Sequence, residues 1–279
     1  MSLYVASLNS GSNGNCYYVG NNEEAILVDA GLSCKETEIR LKRLGVDIQN
    51  IKAIFISHEH ADHIKGVALL SKKHQLPVYI TDATRRHGKV KLDKHLSRSF
   101  SASNAVCIGS LNISAFKKVH DAADPYSFMI TCRETKVGVF TDLGIVCENL
   151  VQHFKQCNAA FLESNYDEMM LETGRYPYYL KKRITGGAGH ISNKQALELF
   201  LQYRSQSLSH LFLSHLSDNN NCPKLVQELF NAHADGVKMI VASRFQETEL
   251  FHINPECTTN TNLALKKNIP ASQLQLAFS

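Results

Sequence analysis

The stretch from His58 to His63, His-Glu-His-Ala-Asp-His, constrains this chain more than any other feature, because it places four potential metal ligands within six residues. It follows the apolar run from Ala53 to Ile56, which predicts a buried strand that ends in a loop. Residues at the end of a buried strand are held in fixed positions, and alternate residues of an extended segment can turn two imidazoles toward one ion. The stretch therefore predicts half of a two-metal site, and a solvated histidine-rich loop is the alternative.

Further ligand candidates follow other strand-like runs. His120 comes after the alternating run from Leu111 to Lys118, Asp142 ends the run that begins at Gly138, and His215 ends the run that begins at Leu211. Taken singly, His120 or His215 is better explained as an ordinary surface or capping residue. As a set at strand ends they predict a common centre.

In this order the residues resemble the metallo-β-lactamase superfamily of dinuclear hydrolases. The resemblance implies a set of seven metal ligands: His58, His60 and His120 for one ion, Asp62, His63 and His215 for the other, and Asp142 between the two. Asp29, after the run from Ala25 to Val28, matches an acidic residue that supports the metal loop from behind. The implied fold is α/β, a four-layered αβ/βα sandwich with the metal loops along one edge.

Length and composition indicate one compact domain. A chain of 279 residues with 44% hydrophobic residues can form one large core, and no repeat or Pro/Gly-rich linker divides it. We expect a hydrolase domain over residues 1–253 and a tail of unknown role over residues 254–279, where the composition changes.

Net charge and cysteine content limit which partners and which cellular location can be expected for the protein. The formal net charge of +4 is too small to predict a partner by itself. The eight cysteines form no Cys-x-x-Cys pair, and no secretory signal is visible, so we expect free thiols and a cytoplasmic location. No apolar run approaches the ~20 residues that span a bilayer, so no membrane association is expected.

Hydrophobic periodicity predicts a mixture of strands and helices. Strands are predicted near 3–8, 16–19, 25–29, 52–57, 77–80, 111–119, 126–131, 137–141, 159–163, 210–214 and 238–242. Helices are predicted over 34–44, 64–74, 147–155, 193–204 and 222–233, and Ser192 or Asn193 can cap the fourth of them.

The substrate must be inferred from residues beyond the ligands. Divalent ions lower the pKa of bound water to about 7 and polarise a phosphoryl or carbonyl oxygen, so thioesters, lactams, lactones and phosphodiesters are all compatible with this fold. The segment from Gly189 to Ala196 resembles the His-x-Ser/Thr element of tRNase Z-like nucleases. The resemblance implies that His190 contacts the scissile phosphate and protonates the leaving oxygen. The helix predicted to start at Ser192 and Asn193 would also offer backbone N–H donors to a phosphate, so these two residues are candidate nucleic-acid contacts. The alternative is that His190 only caps this helix.

Other segments resemble the YycJ/WalJ-type group of single-domain exonucleases, related to tRNase Z and RNase J. They are residues 10–15, 162–167, 176–177 with 180–184, and 215–220, within a resemblance that spans residues 3–253. The group implies 5′ to 3′ degradation of DNA. Gly11 and Gly14 are equally well explained by a hairpin turn. The interval between Asp142 and His215 is too short for the β-CASP domain of RNase J, and the Gly-His-Thr-x-Gly-His stretch of glyoxalase II is missing.

Basic residues supply a candidate nucleic-acid contact. Lys181, Lys182 and Arg183 lie near Tyr176, Tyr178 and Tyr179 and precede His190, so they can steer and stack a single strand. A second cluster runs from Arg85 to Lys91. For both clusters a solvated charged face is the alternative.

Together these observations predict a dinuclear metal phosphodiesterase, with DNA favoured over RNA as the substrate. A hydroxide held between the metals would attack phosphorus, with Asp62 and His190 as catalytic residues. Zinc is favoured, with manganese or iron as alternatives, because His/Asp sites accept all three. The competing hypotheses are a glyoxalase II or lactonase-type hydrolase and a non-catalytic binding protein. The sequence does not indicate the oligomeric state.

Overall fold

The computed structural model describes residues 2–254, which form two mixed sheets flanked by helices. The strands are β1 (Leu3–Asn9), β2 (Cys16–Gly20), β3 (Ala25–Val28), β4 (Ile51–Phe55), β5 (Val78–Tyr79), β6 (Ser97–Arg98), β7 (Val106–Ile108), β8 (Leu111–Lys117), β9 (Tyr126–Cys132), β10 (Thr135–Phe140), β11 (Ala159–Glu163), β12 (His210–Ser214), β13 (Lys238–Val241) and β14 (Phe251–Ile253). The helices are α1 (Cys34–Arg43), α2 (Ala61–Ile64), α3 (Val67–His74), α4 (Asp82–His87), α5 (Glu148–Phe154), α6 (Glu168–Thr173), α7 (Tyr178–Thr185), α8 (Asn193–Tyr203) and α9 (Pro223–Asn231).

The two sheets repeat one plan. The first has the order β14-β1-β2-β3-β4-β5-β6, antiparallel from β14 to β3 and parallel from β3 to β6. The second has the order β13-β12-β11-β10-β9-β8-β7, parallel from β13 to β10 and antiparallel onward. Because the carboxyl ends of neighbouring parallel strands meet at one edge, each sheet presents an edge for functional side chains.

Alternating side chains separate an inner core from two outer ones. Val5 and Tyr17 point between the sheets, where they join residues from both. Leu8 and Tyr18, from the same strands, lie in a separate cluster under α1 and α3. A third cluster packs the second sheet against α5, α8 and α9. These four layers confirm the predicted αβ/βα sandwich.

The structure also departs from the predicted elements. The eleven predicted strands are present, and β6, β7 and β14 add to them. The helix predicted over 64–74 is two helices, α2 and α3, because the backbone N–H of Gly66 turns to the carbonyl of Ala30 at 2.8 Å. The helix α7 was not predicted, so Lys181, Lys182 and Arg183 lie on a helix.

Two predictions concern the extent of the chain. Between residues 2 and 254 no helix is long and apolar enough to cross a membrane. The predicted tail, residues 254–279, lies outside the described residues apart from Asn254, so the domain boundary stays a prediction.

Candidate metal centre

Asp29 holds the loop that follows β4. Its backbone has φ 60°, in the left-handed region, directly after β3. Its carboxylate accepts hydrogen bonds from the Ser57 backbone N–H and hydroxyl, both at 2.8 Å, and lies 2.7 Å from His63 Nδ1. Asp29 therefore fixes both ends of the loop from behind, where the sequence predicted a supporting acid.

Three histidines form the first donor group. His58 Nε2 lies 3.1 Å from His60 Nδ1, which lies 3.3 Å from His120 Nε2. In His120 and His58 the ring nitrogen that points away from the group forms a hydrogen bond. His120 Nδ1 bonds the Gly189 carbonyl at 2.9 Å, and His58 Nδ1 bonds the Ser57 hydroxyl at 2.9 Å. A carbonyl accepts only, so His120 carries its proton on Nδ1 and turns the lone pair of Nε2 into the group.

Four side chains form the second donor group. His63 Nε2 lies 3.2 Å from Asp142 Oδ2 and 3.5 Å from Asp62 Oδ2. His215 Nε2 lies 3.6 Å from Asp62 Oδ2, and its Nδ1 lies 3.5 Å from Asp142 Oδ1. Asp142 Oδ1 is also 3.8 Å from Nε2 of His120 in the first group. All seven residues predicted as ligands thus meet, with Asp142 between the two groups.

Glu163, at the end of β11, is a site residue that the sequence analysis missed. Its fully buried Oε1 lies 2.9 Å from His190 Nδ1 and 3.0 Å from His215 Nδ1. Its Oε2 accepts the Leu143 backbone N–H at 2.8 Å. The signal was present, because this apolar strand ends on an acid just as the strand before Asp142 does.

His190 lies between the two donor groups. Its ring centroid is 5.4 Å from that of His120 and 5.2 Å from that of His215, and its side chain is 22% exposed. The N-cap of α8 is Ser192, which forms a capping box with Gln195. The alternative that His190 caps this helix is therefore wrong.

Ser192 and Asn193 do not face a ligand. Both side chains are buried. The Ser192 hydroxyl donates to Glu168 at 3.0 Å, and Asn193 Oδ1 accepts from the Ser164 hydroxyl at 2.7 Å. The structure does not support their predicted contact with a nucleic acid, because they use their polar atoms to hold the loop around His190.

The two donor groups differ in charge. Burial lowers the pKa of His58 well below its usual value and lowers that of His120 to about 4. These two imidazoles are neutral at pH 7 and ready to act as ligands. Burial also disfavours charge on His63 and His215, but the surrounding carboxylates, above all Asp142, raise the pKa of His63 well above its usual value and that of His215 to about 10.

The carboxylates of the centre remain ionised. Burial opposes ionisation of Asp142, but His215 and His63 hold its pKa well below the usual value. Burial likewise opposes ionisation of Glu163, and His190 and His215 lower its pKa to about 2. The second group is thus an anionic pocket whose charge is balanced by protons on His63 and His215.

Lys118 is a buried cation beside the centre that the sequence analysis also missed. Its Nζ donates to the Thr141 carbonyl at 2.6 Å, and burial lowers its pKa. That bond holds the residue before Asp142, whose φ of 55° is left-handed. Lys118 therefore orients the strand end from which Asp142 projects.

The residues present fit divalent cations. Asp142 Oδ2 and His215 Nε2 are buried among the described residues without a hydrogen-bond partner. Unpaired buried polar atoms are costly unless a ligand completes them. Imidazole nitrogens and carboxylate oxygens at these separations are ligands that zinc, manganese and iron accept.

The basic helix α7 lies beside this centre. Arg183 Nε lies 2.6 Å from Asp121 Oδ2, next to His120, and the backbone N–H of His190 donates to the Ile184 carbonyl at 2.9 Å. Lys182 and Arg183 are exposed. A cavity of about 710 Å³ lies beside the helix, and its lining includes Tyr178, Lys181 and Lys182 together with Glu168, Glu172 and Glu198.

Comparison with known proteins places the chain in a family. Residues 10–215 match the Metallo-beta-lactamase superfamily. The chain is 37% identical over 232 residues to exodeoxyribonuclease YycJ of Bacillus anthracis, covering 81% of this chain and 87% of that protein. It is 30% identical over 223 residues to exodeoxyribonuclease WalJ of Streptococcus pneumoniae, covering 78% and 83%. The fold is similar to that of the metallo-beta-lactamase fold protein YhfI from Bacillus subtilis, with TM-score 0.69 and 17% identity over 90% of this chain and 100% of that one. The predicted resemblance is confirmed, and the chain belongs to the metallo-beta-lactamase superfamily of hydrolases.

Proposed function

We propose that this chain is a dinuclear metal-dependent phosphodiesterase that degrades DNA from the 5′ end. The observation that carries the proposal is the position of His190, bonded through Nδ1 to the buried Glu163 at 2.9 Å and standing between the two donor groups. A thiolate leaves readily without protonation, whereas an alkoxide does not, so a proton donor beside the ligands favours a phosphodiester over a thioester. The similarity to two proteins named exodeoxyribonuclease supports DNA as the substrate. The 5′ to 3′ polarity is what the resemblance of the sequence to their group implies.

We assign the seven clustered residues as ligands of two ions. His58, His60 and His120 would hold one ion, Asp62, His63 and His215 the other, and Asp142 would contact both. Zinc suits this set, since three imidazoles with a carboxylate are a common zinc environment, and manganese or iron are the alternatives. The bound ions would supply Lewis acidity, lowering the pKa of water and polarising the phosphoryl oxygen.

His190 is assigned as the general acid. The ionised Glu163 accepts a hydrogen bond from Nδ1, which fixes the ring and leaves Nε2 as the atom that would donate a proton. That proton would pass to the leaving 3′ oxygen as the phosphodiester bond breaks. The fixed ring orientation matters as much as the proton, because proton transfer requires hydrogen-bond contact.

Asp62 is assigned a second role as a proton acceptor. Its Oδ2 accepts from Asn15 Nδ2 at 3.0 Å, which orients the carboxylate, and its side chain remains 20% exposed. Although burial opposes ionisation, the neighbouring His63 and His215 lower its pKa, so it is ionised at neutral pH. It can therefore take the proton of the attacking water.

The exposed face of α7 is the proposed path of the DNA strand. Lys182 and Arg183 are exposed, and Tyr178 and Tyr179 are 73% and 75% exposed, which suits phosphate contact and base stacking. Lys181 is half-buried and donates to the Glu172 carbonyl at 2.5 Å. The adjacent cavity is a poorer path, because its three glutamates balance its three lysines and leave no excess of positive charge for phosphates.

A cytoplasmic location fits the cysteine chemistry. The seven cysteines within residues 2–254 are all free thiols, as is common for proteins of a reducing compartment. Fractionation of cells that produce the protein, with detection in the soluble cytoplasmic fraction, tests this assignment.

Metal analysis followed by digestion of labelled DNA tests the function. We expect two ions per chain and release of 5′ label before 3′ label from single- or double-stranded DNA. Turnover of S-lactoylglutathione with no attack on DNA would instead favour the glyoxalase-type alternative. A single bound ion in the fully loaded protein would contradict the dinuclear assignment.

His190→Ala tests the general acid. We expect DNA cleavage to slow by roughly 10² to 10⁴-fold while the metal content stays near two, because His190 is not assigned as a ligand. The matched control is His153→Ala, whose ring stacks on Phe116 away from the donor groups. Loss of metal together with activity would make His190 a ligand, and full activity would remove it from the mechanism.

A further inference from the structure

A second cluster of metal-binding side chains lies between α1 and α3. Cys34 and Glu38 are one helical turn apart on α1, so their side chains share a face. His74 is the last residue of α3, which ends where Gln75 adopts a left-handed backbone, φ 53°. The cluster shares no residue with the centre described above.

The donor atoms converge on one point. Cys34 Sγ lies 3.3 Å and His74 Nε2 lies 2.7 Å from Glu38 Oε1, and the three donor atoms lie within 4.8 Å of one another. Tetrahedral zinc, with bonds of about 2.0 to 2.3 Å, separates its ligand atoms by roughly 3.3 to 3.8 Å. The side chains therefore need to move only slightly apart to hold an ion.

We propose that Cys34, Glu38 and His74 form an auxiliary site for a thiophilic divalent cation such as Zn²⁺. A thiolate, an imidazole and a carboxylate together are a donor set that zinc accepts and that magnesium or calcium do not. Three protein ligands leave one coordination position for water. A cavity of about 540 Å³ beside Glu38 and His74 gives that position access to solvent.

Lys73 is the competitor for this site. Its Nζ lies 2.7 Å from the same Glu38 oxygen, but its side chain is 54% exposed and can turn to solvent when a cation arrives. An exposed ion pair of this kind is weak and is lost without large cost. Lys73 and His74 lower the pKa of Glu38 to about 2, so the carboxylate is already ionised.

The site would join two helices that support the metal centre. The helix α1 follows Asp29 by a short loop, and α3 follows the His58 to His63 loop through α2. An ion bound across α1 and α3 would hold these two segments together on the outer face of the first sheet. The expected consequence is higher stability rather than new chemistry.

The absorption spectrum of bound Co²⁺ can distinguish this site from the metal centre. The ligands assigned to the centre are histidines and aspartates, whereas Cys34 would give a thiolate-to-Co²⁺ charge-transfer band in the near ultraviolet. We titrate metal-stripped full-length protein with Co²⁺ and expect such a band to be complete by about three equivalents, because the centre is proposed to bind two ions and this site one. The band should be absent in Cys34→Ser and strongly reduced in Glu38→Gln and His74→Ala.

Cys107→Ser is the matched control, since Cys107 is exposed and lies outside the cluster. It should keep the whole band. Added Zn²⁺ at a hundredfold excess over its Kd should also raise the Tm of the wild type by roughly 5 °C more than that of Cys34→Ser. No charge-transfer band in the wild type, or an undiminished band in a folded Cys34→Ser or Glu38→Gln protein, would overturn the proposal.

Discussion

The two sheets build the metal centre in different ways. The first sheet contributes His58, His60, Asp62 and His63 from one loop after β4, with Asp29 behind them. The second contributes single side chains from separate strand ends, namely Asp142 after β10, Glu163 on β11 and His215 after β12. The first arrangement is local in sequence, whereas the second exists only because three parallel strands lie in register.

That register determines the geometry of the residues that the second sheet contributes to the metal centre. Phe140 pairs with Leu162, and Glu163 pairs with Ser214, so the three strands end at the same level. Asp142 and His215 then turn into the centre with φ 55° and φ 58°. Left-handed backbone at non-glycine residues is costly and persists where surrounding contacts hold it. Substitutions in either half should therefore reach both donor groups, because the loop supplies residues to both groups and Asp142 lies between them.

The largest effect is expected at Asp142, the residue between the groups. Asp142→Asn keeps the size of the side chain but removes the charge that faces His63, His120 and His215. We expect DNA cleavage to fall by at least about 10³-fold and metal content to drop below two per chain, measured by single-turnover digestion and elemental analysis.

Asp235→Asn is the control for that substitution. Asp235 also has a left-handed backbone, φ 47°, but its carboxylate pairs with the half-buried Arg204 and belongs to neither donor group. It should leave both measurements unchanged. Equal losses of activity in Asp142→Asn and Asp235→Asn would attribute the effect to the strained backbone. Two retained ions in Asp142→Asn would show that Asp142 is not a ligand.

Glu163→Gln should have the next largest effect, because one carboxylate orients two histidines. Gln carries no negative charge, and if its oxygen takes the Oε1 position, its NH2 group meets the Leu143 backbone N–H that Oε2 accepts in the wild type. We expect a loss of roughly 10² to 10⁴-fold in kcat, and little further loss when His190→Ala is added, because the two residues act as a unit. Glu228→Gln, on the exposed face of α9, is the control. Additive losses in the double variant would contradict the coupling of Glu163 to His190.

The same contrast explains how much could be predicted from sequence. The loop from His58 to His63 was readable because its ligands are adjacent, and Asp142 and His215 were readable because apolar runs end on them. Glu163 also ends an apolar run, but the ligand set that the resemblance implies does not include it, and its contacts with His190 and His215 exist only in the folded structure. Ser192 was predicted to contact DNA because the sequence shows only that it starts a helix. Its burial results from tertiary contacts that the sequence does not show.

The fold shows the same limit. Periodicity located the strands of both sheets, but it could not show that β14 pairs with β1 or that the parallel strands of each sheet share an edge. Those pairings join segments far apart in sequence. The helix α7 was missed because its eight residues, rich in Tyr and Lys, have no buried face to create a periodic signal.

The two donor groups should also respond differently to pH. A metal at the second group must displace protons from His63 and His215, whose pKa values are raised, the latter to about 10. Affinity there should therefore rise with pH from 6 to 8, by up to about tenfold per pH unit for each proton displaced. The affinity of the first group should change less, since His58 and His120 are already neutral in this range.

Calorimetric titration in buffers of different ionisation enthalpy measures these protons. One binding phase should release protons at pH 7 and the other should not. If both phases release the same number, the electrostatic difference between the groups is wrong.

The smallest effect is expected outside the centre, at the basic helix. Replacing Lys181, Lys182 and Arg183 with Gln should weaken binding of long single-stranded DNA and flatten its salt dependence, because each phosphate contact contributes about −0.7 to the log–log slope. Hydrolysis of bis(p-nitrophenyl) phosphate should continue nearly unchanged, since this compact ester reaches the ligands without touching α7. The matched control replaces Arg85, Arg86 and Lys89 on and after α4, which carry the same charge. A wild-type salt slope in the α7 variant, or an equal loss in the α4 variant, would make α7 only a solvated charged face.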